Sequence, residues 1–183
     1  IIGKTEHALT HLSKQFFDRT IKRHYIALVW GDVENKNGRI ECNITRNPNH
    51  RKIFMAVEDS NIGKHAVTHY EVLKRYGYVT QVKCKLETGR THQIRVHLKY
   101  IGHTLFGDYS YGGDQILAGT VYGKYKTFIE NCFTLMPYHA LHAQSLGFVH
   151  PRTNQEMYFE MPLPDNFQAV IEKWDNYSKA FKL

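Results

Sequence analysis

Cysteine is scarce in this sequence. Only Cys42, Cys84 and Cys132 occur, far apart in the chain and without a CxxC pair. An odd, sparse count excludes a disulfide framework and points to a reducing, cytoplasmic setting. The missing CxxC spacing argues against a cysteine-based zinc site. No apolar stretch approaches the roughly 20 residues that a membrane-spanning helix needs, so no membrane partner is expected. The opening Ile1-Ile2-Gly3-Lys4 has neither an initiating Met nor a long apolar region behind a basic start. It therefore reads as the interior of a longer chain rather than as a signal peptide. Internal repeats, linkers and low-complexity tracts are also missing. A length of 183 residues suits one well-packed domain, so residues 1–183 are read as a single, N-terminally incomplete domain, monomeric by default.

Positive charge is what the sequence has in excess. Lysine and arginine number 24 against 17 acidic residues, a net charge of +7. Such a surface attracts polyanions, of which nucleic acid is the commonest, although solubility alone also favours a charged surface.

Hydrophobic spacing gives the elements. Thr5 can cap a helix running to about Asp18, with Ala8, Leu9, Leu12 and Phe16 as its buried stripe. Tyr25–Gly31 is a continuous apolar run, expected as a strand covered on both faces. Asn35-Lys36-Asn37-Gly38 marks a turn before a returning strand over 39–45. Asn47 to Lys52 is a polar basic loop, and 64–74 is strand-like. From 78 to 87 the period is two, with Val82, Cys84 and Leu86 on one side and Lys83 and Lys85 on the other. A short helix follows from about Thr91 to Tyr100, with Gly102 just past its end. Residues 103–120 read as loop and 122–133 as helix. A hairpin over 142–161 turns at Pro151-Arg152-Thr153-Asn154, and a last helix over 165–181 starts behind an Asp165 cap. The sum is an α+β domain around a largely antiparallel sheet.

The segment Thr88-Gly89-Arg90-Thr91-His92-Gln93-Ile94-Arg95-Val96-His97-Leu98 carries most of the chemistry. A strand ends, a helix begins, and two arginine forks stand at the helix start. Helix N–H groups and guanidinium donors suit a phosphate, or hold a carboxylate ionised; a plain solvated helix start is the competing reading. Arg46, His50, Arg51 and Lys52 form a basic loop that suits phosphate contacts as well as plain solvation. The pairs His7/His11 and His139/His142 have zinc-like spacing but no third ligand, so surface or packing histidines are expected and no metal. Tyr109, Tyr111, Tyr122 and Tyr125 can stack on bases, although packing under a long loop is the plainer reading.

The same segment, continued by Ile-Gly-His-Thr-Leu-Phe-Gly-Asp-Tyr-Ser-Tyr-Gly-Gly (101–113), resembles a signature of the RluA/RluD family of pseudouridine synthases. His24–Gly31, Lys64–Tyr70, Ala140-Leu141-His142-Ala143 and Phe159–Pro164 resemble further stretches of that family in the same order, so the likeness spans nearly the whole chain. It implies the pseudouridine synthase fold, a bent, mixed but mostly antiparallel sheet flanked by helices with an RNA-binding cleft. It also implies an isomerase that converts uridine to pseudouridine in structured RNA, with large-subunit ribosomal RNA the expected substrate, and no cofactor. By motif position, Tyr25 would be the active-site tyrosine and Arg95 the arginine that pairs with the catalytic aspartate. Ile94, Arg90 and His92 would contact substrate, and Arg46, Arg51 and Lys52 the RNA backbone. One feature departs from the family. Its nucleophilic aspartate sits in a His-Arg-Leu-Asp segment that does not occur here, and alignment places it a few residues before Ile1. Asp108 belongs to a different motif and reads as structural. A non-catalytic RNA-binding protein on the same scaffold is the alternative.

Overall fold

In the computed structural model, which describes residues 1–182, the apolar run Tyr25–Trp30 lies inside a seven-stranded sheet. The strands are β1 (Lys22–Trp30), β2 (Asn37–Arg46), β3 (Phe54–Val57), β4 (Lys64–Arg75), β5 (Val79–Leu86), β6 (Leu141–Val149) and β7 (Glu156–Glu160). Their order is β3-β2-β4-β5-β1-β6-β7, and every neighbouring pair is antiparallel. The helices are α1 (Glu6–Phe17), α2 (Gln93–Tyr100), α3 (Gly123–Leu135) and α4 (Asp165–Phe181).

β1 is apolar on both sides because both sides are covered. Ile26, Leu28 and Trp30 join Phe106, Trp174, Phe167 and Ile129 under α3 and α4. Ala27 and Val29 join Val82, Cys84, Ile94 and Leu98 under α2. In the middle of β5 the two-residue period holds: Gln81, Lys83 and Lys85 stay at least partly wet while Val82 and Cys84 are buried. A third cluster, Ile44, Ala66, Val96 and Tyr111, extends the α2 side towards β3.

Three expectations need correction. The stripe on α1 is not buried as a whole: Leu12 is, but Leu9 is 57% and Phe16 41% exposed. The helix touches the sheet along one narrow line at β6, where Gln15 exchanges hydrogen bonds with the backbone of Val149. Strand β3 was not foreseen, since four residues without alternation give no periodic signal; it exists because it pairs with β2. At the start of α4, Pro164 occupies the cap position and Asp165 is the first helical residue. There its charge still favours the helix dipole. Thr5 does cap α1, accepting from the Ala8 N–H at 3.2 Å. Gly102 follows α2 with φ +89°.

Candidate active site

The turn from β5 into α2 is fastened to β4 by one buried amide. Gln93 Nε2 donates to Val67 O at 2.9 Å and Thr68 Oγ1 at 3.0 Å. Its Oε1 accepts from the Arg90 N–H at 2.9 Å and from the Thr88 hydroxyl at 2.8 Å. Thr88 Oγ1 in turn accepts from the Val67 N–H. His92 takes a left-handed conformation, φ 56°, to make the corner. The Arg90 amide of this turn is thus satisfied inside the protein.

Arg95 projects from α2 into the interior and is 9% exposed. Its Nε and Nη2 donate to the two oxygens of Asp108, both at 2.7 Å. The guanidinium lies over the Tyr111 ring, 4.6 Å from its centroid. Asp108 is buried and also accepts from the Tyr111 N–H, capping the short 3-10 turn Tyr109–Tyr111. The structural reading of Asp108 fits this geometry. Nη1 of Arg95 has no hydrogen bond among the described residues, so it is the donor left for a further carboxylate. The Tyr111 hydroxyl accepts from the Phe54 N–H at 3.0 Å and is hydrogen-bonded to His92 Nδ1 at 2.9 Å. Burial, and then the charge of Arg95, lower the pKa values of His92 and His139. Both rings are therefore held towards the neutral form.

Tyr25 sits on β1, half-buried, against the cluster that includes Ile94 and Leu98. Cys84 and Ala143 flank it in the sheet, and the register with β6 shifts between His24 and Tyr25. Such irregularities re-aim a side chain. The hydroxyl of Tyr25 makes no hydrogen bond among the described residues. Ile94 is buried, packed into the core beside Tyr25 rather than open to solvent. Arg90 is half-buried, with Nε on His65 O at 3.0 Å. Arg46, Arg51 and Lys52 are exposed, and Arg46 donates to Arg51 O at 2.6 Å while stacking on Phe54.

A profile of the RNA pseudouridylate synthase family matches residues 1–100. The chain belongs to this family. It is 40% identical over 174 residues to an uncharacterized RNA pseudouridine synthase of Chlorobaculum parvum, covering 94% of this chain and 53% of the relative. It is 41% identical over 172 residues to the ribosomal large subunit pseudouridine synthase D of Nitrosomonas europaea, covering 94% of this chain and 46% of the relative. The chain thus spans about half the length of these curated relatives. Among solved structures, human RNA pseudouridylate synthase domain containing 1 superposes with a TM-score of 0.66 at 23% identity, covering 97% of this chain and 73% of that one, which shows a shared fold.

Within this pseudouridine synthase domain the structure brings Arg95, His92 and Tyr111 together with Asp108 and His139. Tyr25 joins the α2 side through Ile94. The 46–52 loop reaches the same region through Phe54. Four residues escaped sequence reasoning. Gln93 looked like an ordinary helix residue; its signal was an amide inside a run that is otherwise buried. Tyr111 hid among four tyrosines, of which Tyr111 and Tyr125 are buried and Tyr109 and Tyr122 exposed. His97 is buried, and neither ring nitrogen has a hydrogen bond among the described residues. Arg23, two residues before Tyr25, has a buried Nε without a partner among the described residues. Of the paired histidines, His7 is hydrogen-bonded to Pro151 O, His11 to Gln15 and His142 to Met161 O.

Proposed function

We propose that this domain isomerises uridine to pseudouridine in structured RNA, with large-subunit ribosomal RNA as the substrate class, acting as a cytoplasmic monomer without a cofactor. The observation that carries the reading is Tyr25: in a chain of this family, a half-buried ring with an unbonded hydroxyl stands on a register shift beside the helix that bears Arg95. A flipped base needs an aromatic wall and hydrogen bonds at its edge, and Tyr25 supplies the wall. Arg95, braced by Asp108 and Tyr111, offers its free Nη1 to the catalytic aspartate that the family likeness places ahead of Ile1. That charge keeps the carboxylate ionised and aimed.

The aspartate adds covalently to the nucleoside and the N-glycosidic bond breaks. The uracil turns, its C5 bonds to C1′ of the ribose, and the bond to the aspartate breaks, which restores the free carboxylate. Loss of the C5 proton, with the Tyr25 hydroxyl placed to help, completes an isomerisation in which nothing is oxidised or reduced. Arg90, His92 and the exposed Arg46, Arg51 and Lys52 hold the strand around the flipped base.

The test is pseudouridine mapping, by carbodiimide modification and primer extension, on unmodified large-subunit ribosomal RNA incubated with the full-length protein. New stops at discrete uridines are expected. RNA that is bound but never modified would turn the reading to the non-catalytic scaffold.

A further inference from the structure

Next to the Tyr25–Arg95 region lies an open cavity of about 440 Å³, lined among others by Arg46, Phe54, Lys64, Gly89 and Arg90. Its size falls in the range of small-ligand sites, large enough for a nucleotide unit. Three of its lining residues, Arg46, Lys64 and Arg90, are cations. Some surface cations, among them Lys14, Arg39, Lys74, Arg75, Lys126 and Lys179, meet a carboxylate. Arg46, Lys64 and Arg90 meet none among the described residues, and neither does Arg23. Converging cations without counter-charges repel one another unless an anion joins them.

Arg23 links the cavity to Tyr25. The two side chains lie two residues apart on β1, and so on one face of the strand. The Arg23 guanidinium rests against Gly89, whose missing side chain is what lets it in: a Cβ there would come within 2.9 Å of Nη1. Phe16 of α1 covers the guanidinium, 5.4 Å from ring centroid to Cζ. The sequence Tyr25, Arg23, Gly89, cavity is therefore continuous. Guanidinium forks match phosphate oxygens, while Lys64 adds a mobile point charge.

We propose that Arg23, Arg46, Lys64 and Arg90 form a subsite for the phosphodiester backbone of the RNA strand leading away from the target uridine, with Gly89 kept bare to seat Arg23. This rests on the reading of the domain as an RNA-modifying enzyme and adds to it the path of the strand. An isolated mononucleotide would leave most of these cations unmatched, whereas consecutive phosphates engage them in turn.

The experiment is fluorescence anisotropy of a fluorescein-labelled RNA hairpin with a uridine-bearing loop, titrated with full-length protein across a salt series. Replacing Arg46, Lys64 and Arg90 together by Ala should weaken binding roughly 10-fold or more. The log–log salt slope should also flatten by about 2, as expected for three lost single-strand phosphate contacts. Removing the same charge at Lys36, Lys124 and Arg152, all exposed and outside this region, should change the slope by less than about 0.5. Lys64→Gln guards against misfolding, since its side chain is exposed and makes no hydrogen bond among the described residues; its slope should flatten by about 0.7. Gly89→Ala displaces only the flexible tip of Arg23, so it should weaken binding with an unchanged thermal midpoint. Equal slope changes for the two triple variants mean a diffuse basic field and overturn the subsite. Tight binding with an unchanged slope in the cavity variants overturns the subsite and leaves the function standing. A wild-type protein that binds no RNA overturns both.

Discussion

On the face of the sheet under α3 and α4, large rings meet one another: Trp30 and Phe106 at 5.0 Å, Phe106 and Phe133 at 4.8 Å, Phe128 and Trp174 at 4.9 Å edge to face. On the face under α2 the buried set mixes aliphatic residues with the Arg95–Asp108 ion pair, Gln93 and the unbonded His97. The first arrangement gains area burial and about 0.5–1.5 kcal/mol per favourable ring pair beyond it. The second takes charges out of water, which costs several kcal/mol per ion before pairing offsets it. The difference teaches where stability comes from and where it is spent. One face holds the fold, and that surplus lets the other keep a buried guanidinium fixed by Asp108 and Tyr111.

The widest break in that comparison comes from truncating one residue on each face. Trp174→Ala should cost about 3–5 kcal/mol through loss of packing. Asp108→Ala should cost a similar amount, about 3–5 kcal/mol, because it leaves the Arg95 charge buried and unpaired. Urea denaturation measures both. At a temperature where each variant is folded, their initial rates should part. Trp174→Ala should keep most of its turnover, and Asp108→Ala should lose about 100-fold as Arg95 drifts from its place. Equal rates would erase the distinction between the faces. Arg95→Ala should likewise abolish turnover while largely sparing RNA affinity; near-normal turnover would remove the role given to Arg95.

His97 offers a smaller, pH-dependent test confined to the α2 side. Burial pushes its pKa down from 6.5 to about 4, with His65 adding to the effect. The folded value lies below the unfolded one, so the folded protein binds fewer protons. The neutral ring's full contribution is present above about pH 6.5 and is lost as pH falls towards 4. The loss is on the order of 3 kcal/mol once both states are protonated. Urea midpoints from pH 7.5 to about 4.5 should fall steeply for the wild type and more gently for His97→Leu. Parallel curves would show that other groups set the acid limit.

How much of this was legible in the sequence follows the same division. β1 was readable from its continuous apolar run, and β5 and α4 because their burial is periodic: Val82 and Cys84 alternate with Lys83 and Lys85, and Phe167, Val170 and Trp174 repeat at helical spacing. β3 was not, because pairing with β2 rather than its own pattern makes it a strand. The α1 stripe failed for a related reason: periodicity shows which residues share a face, not whether anything covers it. In the site, motif likeness led to Tyr25, Arg90, His92, Ile94 and Arg95. The brace around Arg95 was hidden, since Asp108 and Tyr111 reach it from 13 and 16 residues away in sequence, across an irregular loop. Arg23 was hidden too, because a lone arginine at a strand start looks solvated until Gly89 is seen beneath it.

The finest test touches a single oxygen. The Tyr25 ring packs on the α2-side cluster, while its hydroxyl has no protein partner among the described residues. Tyr25→Phe therefore keeps the packing and should change stability by no more than about 0.5 kcal/mol. RNA affinity should also hold, since the stacking surface is intact. If the hydroxyl assists removal of the C5 proton, turnover should nevertheless fall by about 100-fold, in the range of a lost general base. Such a result would mark a residue whose face of the sheet matters for chemistry and hardly at all for stability, the converse of Trp174. A wild-type rate in Tyr25→Phe would leave Tyr25 as a stacking wall alone and return the C5 proton to solvent or to the aspartate.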